Sequence, residues 1–94
     1  MGETRLSTAR KKMTDVFAAI ETALRPYVGS TMASTAAAAQ AKRLGLDGPA
    51  LDGDQVALLL GKLTLGLVIF LGEAKTESVV GLMRQAIDGL EEAR

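Results

Sequence analysis

The sequence predicts an all-α fold, four helices in one small domain over residues 1–94, with the third helix buried by the other three and completed by homodimerisation. Three observations predict it. Val56 to Leu71 reads VALLLGKLTLGLVIFL, and only Gly61, Lys62, Thr64 and Gly66 in it are not plainly apolar. Leu6, Ala9, Met13, Val16, Ile20, Ala23 and Tyr27 follow one another in alternating steps of three and four, the heptad spacing of a helix that packs along one stripe. Aromatic residues make up only 3% of the chain, while Ala, Gly and Leu abound, which suits closely approaching helices better than a large sheet core.

The first helix is expected over 4–28. Phe17, Leu24 and Val28 widen its apolar stripe, and Arg5, Lys11, Lys12, Asp15, Glu21 and Arg25 form the wet face. Arg25-Pro26 falls near its end, because proline disfavours helical geometry in the residue before it. Gly29 is the stop. Ser30 is the expected N-cap of a second helix over 31–44, built from small residues that let a neighbour come near. Gly45 with Leu46 reads as a left-handed C-cap and its hydrophobic contact, and Lys42 and Arg43 sit where the helix dipole favours cations.

GLDGPALDG, residues 45–53, is a loop ending in a strong start signal. Asp52 and Gln55 make a capping box, and Leu51 with Val56 make a hydrophobic staple. The third helix is therefore expected over 53–71, closed by Gly72. Glu73-Ala74-Lys75 is a short joint or a fraying first turn, and Thr76 is the expected N-cap of a fourth helix over 76–93, with an apolar face of Val79, Val80, Met83, Ala86, Ile87 and Leu90. No internal repeat stands out in the sequence.

The chemistry available is narrow. The chain has no Cys and no His, which removes thiolate and imidazole metal sites, disulfides, thiol nucleophiles and the Ser-His-Asp constellation. No catalytic, cofactor-binding or metal-ligating set is predicted, and the chain is expected not to be an enzyme. Eleven basic residues balance eleven acidic ones, so no overall charge draws the chain to nucleic acid or anionic lipid. The charged, Thr-rich start contains no secretory leader pattern, and a cytoplasmic location is the expectation.

Several motifs invite sharper readings. Val56 to Leu71 could be a membrane span, but it is short of the ~20 residues required and has Lys62 at its centre. Gln55, Lys62, Gly66 and Glu73 fall on one narrow polar strip, which implies cover on the other faces. Gly61-Lys62-Leu63-Thr64 resembles the tail of a phosphate-binding loop, yet Val56 replaces the first glycine and Leu63 the hydroxyl residue. Asp47, Asp52 and Asp54 lack the glycine and closing glutamate of a calcium loop, and turn formation and capping account for Asp47 and Asp52. Gly61, Gly66, Gly81 and Gly89 within helices suggest close helix contacts or a ligand slot. Glu73, Lys75 and Glu77 suggest exposed ion pairs. Leu24-Arg25-Pro26-Tyr27-Val28-Gly29 with Met32-Ala33 is similar to small helical modules of bacterial signalling proteins, over a segment too short to carry any residue's role across.

Three functions follow. The first is a non-enzymatic protein–protein interaction or scaffolding module in cytoplasmic regulation and signalling, acting as a homodimer. Its candidate core or dimer residues are Leu59, Leu63, Leu67, Phe70, Met13 and Ile20. The second is a small nucleoid-associated dimer touching DNA through Arg5, Arg10, Lys11 and Lys12. The third is a bundle holding an apolar ligand between the third and fourth helices, near Gly66 and Gly81.

Overall fold

The computed structural model of the chain describes residues 10–91. Four helices form, as expected, but they are arranged as two copies of one unit. Strand β1 (Arg10–Lys12) runs into α1 (Met13–Val28), and a single glycine joins α1 to α2 (Ser30–Arg43). Strand β2 (Ala50–Asp52) runs into α3 (Gly53–Leu71), and a single glycine again joins it to α4 (Glu73–Asp88).

The joints explain the repeat. Gly29 lies at φ 87°, ψ 161° and Gly72 at φ 84°, ψ 168°, a region essentially closed to residues with a Cβ. Each glycine donates back to the carbonyl four residues earlier, Arg25 or Val68, at 2.9 Å. Each glycine carbonyl then accepts the first bond of the next helix, from Ala33 at 3.0 Å or Thr76 at 3.1 Å. Counting back from the joint, the positions five, nine and thirteen residues earlier are buried in both units: Leu24, Ile20 and Val16 in one, Leu67, Leu63 and Leu59 in the other. The repeat escapes the sequence because it lies in backbone conformation and burial rather than in residue identity.

The units interlock. β1 pairs antiparallel with β2, with Lys11 opposite Leu51 at the centre, and α1 packs on both α2 and α4 while α3 packs on α4 and α2. The shared core joins Val16, Ile20 and Leu24 to Ala33, Ala37 and Ala41, to the four leucines Leu59, Leu60, Leu63 and Leu67, and to Val79, Met83 and Ile87. Alanine every fourth residue gives α2 a flat buried row, which lets α1 pack closely on it while burying little apolar area.

Several end signals are met. The Asp52 carboxylate accepts from the Gln55 N–H at 2.8 Å and Gln55 Oε1 accepts from the Asp52 N–H at 2.9 Å, so α3 starts at Gly53. After α2, Gly45 sits at φ 72° and donates to Lys42 O, while buried Leu46 donates to Ala41 O, completing a Schellman cap. Pro26 stays inside the last turn of α1; its missing donor would have served Thr22, on the exposed face.

Other expectations need correction. α1 begins at Met13, and Arg10–Lys12 is a strand, because its backbone is claimed by β2. Leu6 and Ala9 of the heptad lie outside the described residues. Ser30 is the first helical residue of α2 rather than its cap, and α4 begins at Glu73 rather than after Thr76, because each joint is only one residue long. Thr76 is instead a buried helix residue. α4 ends at Asp88, short of residue 93. Gly61, Gly66 and Gly81 make no close helix contact: a Cβ added at any of them meets nothing within 4 Å. Last, α3 is not enclosed by its neighbours.

Candidate interaction surface

One side of α3 is committed to the core through Leu59, Leu60, Leu63 and Leu67. The opposite side stays open and is apolar. Leu58 is 55% exposed, Leu65 66%, Ile69 89% and Phe70 61%. With Gly61, Lys62 and Gly66 between them, they occupy adjoining rows over the length of the helix. The polar strip that includes Lys62 and Gly66 is therefore only the middle of a much broader exposed face. At roughly 150–250 Å² for a large side chain fully exposed, these four residues and neighbouring Met32, itself 45% exposed, present on the order of 600 Å² of apolar surface. Isolated exposed leucines are ordinary, whereas a contiguous patch of this size stands at the upper end of what monomers expose, where such patches are often functional.

The predicted interface residues divide accordingly. Leu59, Leu63, Leu67 and Ile20 are core, and Met13 is half-buried against it. Phe70 alone of the six lies on the open face. Sequence reasoning missed Leu58, Leu65 and Ile69, although their spacing already set them opposite the buried leucines.

Beside this face, α2 and α3 bound a cavity of about 200 Å³. Leu24, Leu63 and Leu67 floor it, Ala36 and Gly66 keep it open, and Met32 and Phe70 rim it. Gly66 thus faces α2 across a groove, whereas Gly81 is not among the residues that line it. A second cavity, about 400 Å³, separates α3 from α4 and is lined by Thr64, Val68, Thr76 and Val80 among others. Thr76 is 2% exposed and its hydroxyl has no hydrogen-bond partner.

The basic set is split by the ribbon. Arg10 and Lys12 are exposed, but Lys11 turns inward beside Leu51, and its ammonium donates to Leu90 O at 2.6 Å, satisfying a carbonyl just beyond α4. Arg5 lies outside the described residues, and Lys42 and Arg43 are exposed at the end of α2. Among the described residues no three acidic side chains come together as a metal site, and Asp52 is occupied in capping. Gly61-Lys62-Leu63-Thr64 lies inside α3, where the Thr64 hydroxyl donates to Leu60 O at 2.7 Å. The ion pair found among the described residues is Arg25–Glu21 at 3.2 Å, one turn apart on α1, and Glu73, Lys75 and Glu77 form none.

By length and composition α3 could cross a membrane, and 22% of its apolar stretch is buried in the fold. No protein-family model, curated protein or solved structure matches the chain.

Proposed function

We propose that the chain is a non-enzymatic interaction module of cytoplasmic regulation that works as a homodimer, closing the open face of α3 against the same face of a second copy. The observation that carries this reading is the breadth of exposed apolar surface on a helix whose other side is already packed. Its estimated 600 Å² approaches the roughly 800 Å² that each partner contributes to a stable interface. A twofold pairing is self-complementary, so one patch suffices. An antiparallel pairing centred between Leu65 and Gly66 sets each Lys62 near an Ile69 rather than near the other lysine. The two ammonium groups stay apart, and their stems cover apolar surface.

Sedimentation velocity over a concentration series tests the reading. The chain sediments as a dimer, and Ile69→Glu sediments as a monomer with unchanged helical circular dichroism and melting temperature. Monomer at every concentration up to the solubility limit would falsify it.

A second reading, binding of duplex DNA, rests on Arg10 and Lys12 standing exposed on a two-stranded ribbon, an element the major groove admits. It requires a gel shift that weakens steeply with salt and is lost in Arg10→Ala/Lys12→Ala. No shift at about 50 mM salt ends it.

A further inference from the structure

The groove between α2 and α3 borders the open face of α3, shares Lys62, Gly66 and Phe70 with it, and is polar at one end and apolar at the other. Its residues recur one turn apart: Met32, Ala36 and Gln40 on α2, and Lys62, Gly66 and Phe70 on α3. Met32 and Phe70 fall on the turns next to the two glycine joints, and nothing polar lines that end. Gln40 and Lys62 lie on turns toward the 44–52 connection, and they are the two polar side chains of the groove. Lys62 is its one charged residue, no carboxylate lines it, and among the described residues Lys62 has no ion-pair partner. Gly66 faces open space, where a Cβ would meet nothing within 4 Å. The glycine costs helix stability, up to about 1 kcal/mol against alanine, without the close helix approach that usually justifies it. What it provides here is room.

We infer that this groove binds a single-chain anionic amphiphile, its hydrocarbon lying over Leu24, Leu63 and Leu67 and its head group held by the Lys62 ammonium and the Gln40 amide. An apolar channel with one cation and no acid favours a chain with an anionic head over a neutral or cationic one. A carboxylate and a phosphate monoester both satisfy Lys62, a compact point charge with three donors. Met32, Lys62, Gly66 and Phe70 belong to both the groove and the proposed dimer face, so binding is tested on a chain made monomeric at Ile69, which does not line the groove.

Calorimetric titration of the Ile69→Glu chain with decanoate and decyl phosphate, each below its micellar concentration, and with decanol below its solubility limit keeps the two proposals apart. Decanoate and decyl phosphate bind at one site per chain, and whichever is tighter identifies the head group. Decanol binds at least tenfold more weakly, and Lys62→Gln removes that difference. Gly66→Leu fills the groove and abolishes binding while the chain stays folded, with a melting temperature equal to or above that of the parent. Absence of heat with all three probes overturns the inference. So does undiminished binding in Gly66→Leu, which assigns the amphiphile to the open face of α3, and so does equal affinity for decanoate and decanol in the Lys62 chain.

Discussion

The two hairpins of this molecule share a backbone plan and differ in what they show to solvent. Counted from the joint glycine, Asp15, Thr22 and Pro26 of α1 stand where α3 has Leu58, Leu65 and Ile69. Both helices bury the same three positions and enter their partners through the same glycine conformation. The fold therefore does not require an apolar outer face, since α1 manages without one. What the second hairpin carries outside is an addition to the scaffold, and an addition that weakens solubility calls for a function.

Four measurements break or sharpen that comparison. The largest effects lie where the halves agree. Ile20→Ala and Leu63→Ala occupy equivalent buried positions, and each costs about 2–5 kcal/mol in urea unfolding. Leu67→Glu, which buries an unpaired carboxylate, unfolds the chain. A cost at Leu63 far below that at Ile20 would break the equivalence. Next come the joints: Gly29→Ala and Gly72→Ala each cost about 1–3 kcal/mol, because both glycines sit where a Cβ is strained. Unequal costs beyond a factor of two would show that the joints are alike in angle only.

The third measurement isolates the difference. Giving α3 the outer residues of α1, as Leu58→Asp/Leu65→Thr, leaves the melting temperature within a few degrees and weakens dimerisation by at least ~30-fold, the equivalent of about 2 kcal/mol. The reciprocal Thr22→Leu leaves both unchanged. Dimerisation surviving the α3 exchange would move the interface elsewhere. The smallest effects test the ends. Asp52→Ala removes a cap that α1 does not have and costs about 1 kcal/mol. Thr76→Val, which deletes the unpartnered hydroxyl at the position where α2 has Ala33, stabilises by about 1 kcal/mol. A loss of stability there would mean that the hydroxyl has a partner.

Signals that act over three or four residues were legible in the sequence. The Asp52–Gln55 box, the Gly45–Leu46 cap and the Gly72 stop each name their own geometry. The ribbon was not, because Arg-Lys-Lys has no strand pattern of its own and pairs only because the chain returns with Leu51. The start of α4 is hidden from the sequence for a related reason. Thr76 has the chemistry of a cap, but Gly72 had already turned the chain, so the helix began earlier and took Thr76 into the core. The candidate site was half legible. Hydrophobicity says that α3 must be covered, and the polar strip suggested that little of it stayed wet. Which neighbour covers which face depends on how α2 and α4 pack, and no local pattern carries that.

The duplicated plan also bears on how large an assembly can grow. If both hairpins carried the outer face of α3, each molecule would have two sticky sides pointing in different directions. Such a chain is bivalent, and bivalent subunits whose contacts do not close propagate into filaments. Asp15 and Thr22 remove one of those sides. In the proposed dimer each subunit would be monovalent and assembly would stop at two, with the polar skin of α1 as the terminator that keeps a repeated architecture from polymerising.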